Sequence, residues 1–143
     1  MHIYIGGAHN GKREFVKKQL TKQGKHNVQW IEGNLLLNCK GDSHPYNSGT
    51  IQTIVVAGIE EWLSETNLPE EAAIAYVMEG IAGRNVIFIL TDIGRGIVPV
   101  DAEQRKLRDT CGQLYQRLMA EADEVTRIWY GLAKTVKKRG EKL

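Results

Sequence analysis

The sequence predicts an α/β fold with a largely parallel central sheet. Apolar runs of strand length alternate with helical patterns along the chain. The run Val86–Leu90 is apolar throughout, which is typical of a parallel strand covered on both faces. A glycine-rich stretch, Gly6–Lys12, follows the first predicted strand and precedes a helix. The 143 residues, 42% hydrophobic and 25% charged, match one globular domain and exclude a disordered chain, a collagen and a disulfide scaffold.

The first half of the chain is predicted to contain strands around one helix. Phe15, Val16 and Leu20 are spaced for one buried helical face, and Gly24 ends that helix. The turn formers of Gly41–Gly49 predict a loop. The predicted strands are His2–Ile5, Val28–Trp30, Leu35–Cys39 and Thr50–Ala57, and the predicted helix is Lys12–Gln23.

The second half is predicted to contain two helices and two strands. Leu68–Pro69 opens a helix, because proline is tolerated in a first turn, and Gly83 ends it. Asp101 and Gln104 are spaced as in a capping box and predict the start of the next helix. The strands are Val86–Leu90 and Val125–Tyr130. The apolar helical stripes are Ile74, Val77, Met78 and Ile81, then Leu107, Cys111, Leu114, Leu118 and Met119.

The stretch Gly6-Gly7-Ala8-His9-Asn10-Gly11-Lys12-Arg13 fits the Gly-x-x-x-x-Gly-Lys pattern of a phosphate-binding loop. Glycines let backbone N–H groups surround an anion, and the following helix N-terminus adds positive charge. In this interpretation Lys12 reaches the β- and γ-phosphates. The alternative is a glycine-rich turn without a ligand. The first interpretation predicts a three-layer, RecA-like P-loop fold, with residues 1–143 forming a single nucleotide-binding domain.

Magnesium ligands are harder to place. A P-loop normally carries Ser or Thr after its lysine, but Arg13 stands there, and a guanidinium has no acceptor atom. Asp92 follows a predicted strand and is the best available carboxylate. Glu60 and Glu61 follow another strand and are either substitutes or, as we expect, the exposed side of a turn. No metal site is assured, although nucleotide binding is expected.

Composition also predicts the cellular compartment of the protein and whether it contacts membranes or nucleic acid. Two widely separated cysteines, Cys39 and Cys111, favour reduced thiols in the cytoplasm. Residues 1–6 lack the pattern of a secretory signal, and no apolar run is long enough for a membrane span. The last ten residues are basic, and we interpret them as a solvated tail without an aromatic platform for nucleic acid.

The segment Thr91–Pro99 resembles the Asn-Glu-Val-Gly-x-Gly-Ile-Val-Pro segment of the adenosylcobinamide kinase/adenosylcobinamide-phosphate guanylyltransferase family. The run Arg105–Asp109 is similar to that family's Arg-x-Phe-Arg-Asp helix, with leucine in place of phenylalanine. Gly6–Lys12 is similar to its P-loop, and Ala122–Val125 to its last strand. The resemblance covers most of the chain.

This resemblance implies a cobalamin-biosynthesis protein, usually a homo-oligomer, that binds ATP or GTP and adenosylcobinamide. The family phosphorylates the corrinoid alcohol and then transfers GMP through a guanylylated histidine. Under this hypothesis Arg95, Arg105 and Arg108 add phosphate or substrate contacts. Here, however, only nine residues separate Leu20 from Trp30, and His26 lacks the family's surrounding pattern.

We therefore expect the guanylyltransferase activity to be absent in this shortened, divergent chain. Two hypotheses stay open for the rest of the function. The first is a kinase in which Lys12 and Asp92 are catalytic. The second is a non-catalytic module that binds nucleotide, corrinoid or a partner subunit.

Overall fold

The fold is built on a six-stranded sheet. A computed structural model describes residues 1–7, 11–24, 27–32, 53–81, 85–92 and 102–138 of the chain. The strands are β1 (His2–Gly6), β2 (Val28–Glu32), β3 (Thr53–Ala57), β4 (Val86–Thr91), β5 (Glu124–Trp129) and β6 (Leu132–Lys138). The helices are α1 (Lys12–Lys22), α2 (Ile59–Glu65), α3 (Glu70–Ile81) and α4 (Ala102–Glu121).

The sheet is mostly parallel, with the strand order β2-β3-β4-β1-β5-β6. All neighbours pair in parallel except β5 and β6, which are antiparallel. Because β4 lies between β1 and β3, the carboxyl ends of these three strands meet at one edge of the sheet. We call this the carboxyl edge. Ligands of open parallel sheets gather at such an edge.

Helices cover both faces of the sheet, which gives three layers. Val16 and Leu20 of α1 pack with Tyr4 and Ile128 on one face. The other three helices pack on the opposite face, around Trp62, Phe88 and other fully buried side chains. The predicted α/β P-loop-type fold with its mostly parallel sheet is thereby confirmed. Within the described residues, no helix combines the length and apolar character needed to cross a membrane.

Most predicted elements are confirmed, with ends shifted by a few residues. Strand β4 is buried from Val86 to Leu90, as its apolar run predicts. Gly24 has a φ of 67°, consistent with its place after α1. Four predictions lie outside the described residues: the strand Leu35–Cys39, the loop Gly41–Gly49, the stop at Gly83 and the cap at Asp101.

Helix α2 corrects the prediction of a turn before Trp62. Gly58 precedes the helix with a φ of 73°, a left-handed conformation that glycine adopts without a steric penalty. Ile59, Trp62 and Leu63 then lie at the spacing of one helical face, and all three are buried. The helix is short, so its stability comes from this packing rather than from helix propensity.

Strand β6 corrects the prediction of a basic tail for residues 134–138, while residues 139–143 lie outside the described residues. Residues Leu132–Lys138 pair with β5 through a two-residue turn, in which Tyr130 and Gly131 have φ values of 49° and 76°. Positive φ at both positions is typical of a type I′ hairpin. The three lysines of this segment concealed the strand in the sequence, because edge strands tolerate charge on an exposed face.

Lys137 of this strand connects the hairpin to α4. Its Nζ donates hydrogen bonds to the carbonyl oxygens of Met119 (2.7 Å) and Ala120 (3.0 Å), in the last turn of the helix. The final carbonyls of a helix have no partner within it, and a cation there also opposes the negative end of the helix dipole. Lys137 is therefore a capping residue.

Replacing Lys137 by alanine is expected to lower the free energy of unfolding by about 1–2 kcal/mol, because it removes charged hydrogen bonds to the end of α4. Urea denaturation followed by circular dichroism measures this change. Lys134→Ala is the matched control, since Lys134 is exposed on the same strand, and it should change the value by no more than about 0.5 kcal/mol. Equal effects of the two variants would contradict the capping role.

Candidate functional site

The glycine-rich loop begins where β1 is packed too tightly for any side chain. A Cβ on Gly6 would lie 2.3 Å from the backbone oxygen of Ile128 in β5. On the other side, the Asp92 N–H donates to the Gly6 oxygen at 2.9 Å. Gly6 therefore holds the start of the loop between the two neighbouring strands. Of the predicted binding residues, Ala8, His9 and Asn10 lie outside the described residues.

The end of the loop is set by Gly11, which precedes α1. Its φ of 76° is left-handed, and its oxygen accepts the Phe15 N–H at 3.0 Å, the first hydrogen bond of the helix. The N-terminus of α1 thus starts directly at Lys12 and Arg13. Free N–H groups and the positive end of the helix dipole are both available to an anion at this position.

Lys12 is held in the loop rather than extended into solvent. The residue is 7% exposed, and its Nζ donates to the Gly7 oxygen at 2.6 Å. Burial lowers the pKa of this ammonium group, while the negative charge of Glu60 opposes that change. A buried cation above a glycine loop is suited to a polyanionic ligand, because desolvation strengthens its attraction to phosphate oxygens.

Glu60 is half-buried, in contrast to the exposed position that the sequence predicted. Burial raises its pKa, whereas hydrogen bonds from its own N–H and from the Thr91 side chain lower it, as does the charge of Lys12. Its Oε2 is buried and has no hydrogen-bond partner among the described residues. The corrected position results from α2, which turns residue 60 inward and leaves Glu61 exposed. Glu60 therefore has a buried acceptor atom that no described residue satisfies.

Arg13 is paired with the end of β2. Its Nη1 and Nη2 donate to the two carboxylate oxygens of Glu32 at 2.6 and 3.0 Å. This fork-like geometry raises the pKa of Arg13, and the charges of Glu60 and Glu61 raise it further. A guanidinium thus stands in the combined field of three carboxylates, so the acidic side of the carboxyl edge already contains a cation.

These residues do not fit a protein-bound magnesium ion. The position of the usual hydroxyl ligand is Arg13, whose charge repels a divalent cation from the same carboxylates. No group of three or more histidine, cysteine, aspartate or glutamate side chains within the described ranges could hold a metal. Lys12 and Arg13 instead place two positive charges at the start of α1.

A buried group of side chains joins α4 to the same edge. The Tyr115 hydroxyl donates to the Thr91 oxygen at 2.9 Å, next to Asp92. Burial raises the pKa of Tyr115, with smaller effects from the charges of Glu60 and Asp92. Burial and then Glu60 also raise the pKa of Cys111 to about 12, so this thiol is not a nucleophile. Sequence analysis placed Cys111 in the core stripe but did not identify Tyr115, which follows it by one helical turn.

The other residues that the sequence predicted for the site are one aspartate, Asp92, and three arginines, Arg95, Arg105 and Arg108. Asp92 follows β4 beside the loop, through its bond to Gly6. Arg105 and Arg108 lie in the first two turns of α4, and Arg108 contacts Asp109 at 3.5 Å. The described contact between α4 and the carboxyl edge comes from Tyr115, farther along the helix. Arg95 lies outside the described residues.

A cavity of about 450 Å³ opens between α2, α3 and α4. Leu63 and Ser64, which line it, lie three and four residues after Glu60, on the same side of α2. Glu103 and Lys106 from the start of α4 add charged groups to its wall. The cavity thus lies beside the helix that carries the unpaired carboxylate oxygen.

Comparison with known proteins agrees with the family resemblance seen in the sequence. Residues 44–136 match the family described as cobinamide kinase / cobinamide phosphate guanyltransferase. A curated relative, the bifunctional adenosylcobalamin biosynthesis protein CobU of Salmonella typhimurium, is 38% identical over 52 residues. That alignment spans 36% of this chain and 29% of the relative, so the chain covers less than a third of the relative's length. The family match includes Glu60 and Asp92 and begins after the loop Gly6–Arg13.

Among solved structures, the chain is similar to the flagellar accessory protein FlaH from Methanocaldococcus jannaschii. The TM-score is 0.54 at 11% identity, and the match covers 96% of this chain and 77% of that one. At this identity the similarity concerns the fold alone. Because the match covers 96% of this chain, it also includes most of the part that precedes the family match.

The raised pKa of Glu60 predicts a pH-dependent stability. Between its ordinary range and the raised value, the folded state binds more protons than the unfolded chain, so this group's contribution to the free energy of unfolding falls as pH rises. Glu60→Gln is therefore expected to gain stability relative to the parent chain on going from pH 4 to pH 7.

Urea unfolding at the two pH values measures this difference. Glu61→Gln is the matched control, because it removes the same charge from the next position of α2, at an exposed site. If the free energy of unfolding of Glu60→Gln differs from that of the parent chain by the same amount at pH 4 and at pH 7, burial does not raise the pKa of this carboxyl group.

Proposed function

Because the chain belongs to the cobinamide kinase / cobinamide phosphate guanyltransferase family, we propose that it binds ATP or GTP at Gly6–Arg13 and phosphorylates the alcohol of adenosylcobinamide or a related corrinoid. The name of its curated relative supports a place in cobalamin biosynthesis. The observation that carries the proposal is the presence of two opposite charges at the carboxyl edge: Lys12, which is buried and bonded to Gly7, and Glu60, which has an unpartnered oxygen.

In the proposed reaction the loop and the first turn of α1 hold the phosphates. Lys12 and Arg13 stabilise the charge that develops on the transferred phosphoryl group. Glu60 accepts the proton of the acceptor hydroxyl, a role for which a carboxylate of raised pKa is suited. The hydroxyl oxygen forms a bond to the terminal phosphorus, and the bond from that phosphorus to the bridging oxygen breaks. The nucleoside diphosphate leaves.

Other predicted residues take supporting roles in this proposal. Asp92 is a second carboxylate beside the loop, and Arg95, Arg105 and Arg108 contribute contacts to phosphate or corrinoid. The corrinoid is proposed to occupy the cavity lined by Leu63 and Ser64, on the helix that also carries Glu60. We propose no guanylyl transfer, since the chain is short between Leu20 and Trp30 and His26 lacks the family's pattern. The homo-oligomer that the family resemblance implies also belongs to this proposal.

A second candidate function is a nucleotide-binding module without catalysis. The bidentate pair between Arg13 and Glu32 favours it, because the pair fixes a guanidinium where the P-loop hydroxyl normally helps to hold magnesium. Without a metal clamp, transition-state stabilisation falls by several kcal/mol unless other charges replace it. The two candidates agree on binding and differ only in phosphoryl transfer.

Lys12→Ala is expected to weaken ATP and GTP binding at least tenfold, because it removes the buried cation of the loop. Calorimetry measures the affinity, and transfer of labelled γ-phosphate to adenosylcobinamide measures catalysis. Lys18→Ala, an exposed lysine of the same helix, is the matched control and should behave as the parent chain.

The outcomes separate the candidates. The kinase is supported if Lys12→Ala loses both the nucleotide binding and the phosphoryl transfer that the parent chain shows. Binding without transfer in the parent chain supports the non-catalytic module. Unchanged affinity in Lys12→Ala would overturn the assignment of the loop as the phosphate site, and with it both candidates.

Arg13→Ser is expected to make nucleotide affinity depend more strongly on Mg²⁺. The substitution restores the hydroxyl of the P-loop pattern and removes a cation from the field of Glu32, Glu60 and Glu61. Titrations of ATP with Mg²⁺ and with excess chelator, on both chains, measure the change. Arg13→Lys is the control, because it keeps the charge and supplies no hydroxyl. The ratio of the ATP affinity with Mg²⁺ to the affinity with chelator is compared among the three chains. If it is the same with serine, lysine and arginine at position 13, this residue does not determine the dependence on Mg²⁺.

A further inference from the structure

The large apolar side chains that are exposed within the described ranges all belong to the hairpin of β5 and β6. Trp129 is 61% exposed and Tyr130 76%, and Leu132 and Val136 complete the set. The two aromatic rings lie 5.5 Å apart between centroids and are tilted by 50°. Exposed neighbouring aromatics of this size commonly mark a binding surface.

This aromatic pair lies next to the glycine-rich loop. Strands β1 and β5 are parallel, with Ile5 opposite Arg127, and Gly6 closely approaches the Ile128 oxygen. Continuing the register by two residues, past the last pair of the ladder, brings Trp129 to the level of Gly7. The aromatic pair and the loop therefore share the carboxyl edge of the sheet.

The turn itself does not require a tyrosine. A type I′ turn needs positive φ at both central residues, and Asn-Gly is the preferred pair. Tyr130, with a φ of 49°, is the residue other than glycine that has a positive φ in the described part of the chain. Backbone strain at such positions is characteristic of ligand-binding sites. A strained position and an exposed ring thus coincide beside the loop.

We propose that Trp129 and Tyr130 form a stacking platform for the base of the nucleotide whose phosphates bind the loop. The inference rests on the nucleotide binding proposed above. Flat aromatic rings bind the π-face of any nucleobase, largely without regard to its identity. The platform is therefore expected to serve ATP and GTP alike. It supplies the apolar part of a site whose other described residues are mainly charged or glycine.

The test compares ligands with and without a base. The full chain is titrated by calorimetry with ATP, with GTP and with inorganic tripolyphosphate, which can occupy the loop alone. Trp129→Ala and Tyr130→Asn are each expected to weaken nucleotide binding about tenfold and to leave tripolyphosphate affinity unchanged. Asparagine suits the turn better than tyrosine, so this variant keeps the hairpin while it removes the ring. Val136→Ala is the control, since it removes an exposed apolar group farther along β6.

Each outcome has one meaning. Nucleotide affinity that is unchanged in both variants overturns the platform and leaves the phosphate site intact. Equal weakening of nucleotide and tripolyphosphate also overturns it, because the rings would then act through the loop. If the parent chain binds neither ligand, the proposed function fails and the platform fails with it. A loss of self-association or of single-stranded DNA binding, with unchanged nucleotide affinity, assigns the rings to that contact instead.

Discussion

The candidate site depends on the close approach of three strands around Gly6. No side chain fits between β1 and the backbone oxygen of Ile128, while the Asp92 N–H fixes the other side of the same residue. This contact sets where the loop leaves the sheet, where α1 begins and how near Lys12 lies to the ends of β3 and β4. The positions of Lys12 and Arg13 relative to the neighbouring strands depend on that fixed starting point.

Charge at the carboxyl edge is balanced by the protein itself. Glu60 lies in the fields of Lys12 and Arg13, and Glu32 holds the guanidinium in a fork-like pair. An arriving polyphosphate would enter a region where cations are already oriented, which reduces the reorganisation needed on binding. The same arrangement separates this chain from the usual P-loop pattern, because an arginine is paired where a hydroxyl would normally stand.

Sequence patterns predicted the elements that depend on local regularity. The apolar run of β4 and the stripes of α1, α3 and α4 are of this kind. Helix α2 was missed because it is only seven residues long and starts at a left-handed glycine. The burial of Glu60 and the capping by Lys137 depend on elements that are distant in the chain, so composition near either residue could not reveal them. Tyr115 could have been found, since it belongs to the buried stripe of α4.

The placement of β6 has a consequence for how the chain avoids aggregation. The strand forms one border of the sheet, and a border strand offers unpaired backbone groups to any other extended chain. Lysine side chains along β6 and a register shift opposite Val125 and Thr126 disturb the regular ladder that a second strand would need. The positive charges that look like a solvated tail in the sequence thus protect a sheet border against unwanted pairing, while one of them also secures the neighbouring helix.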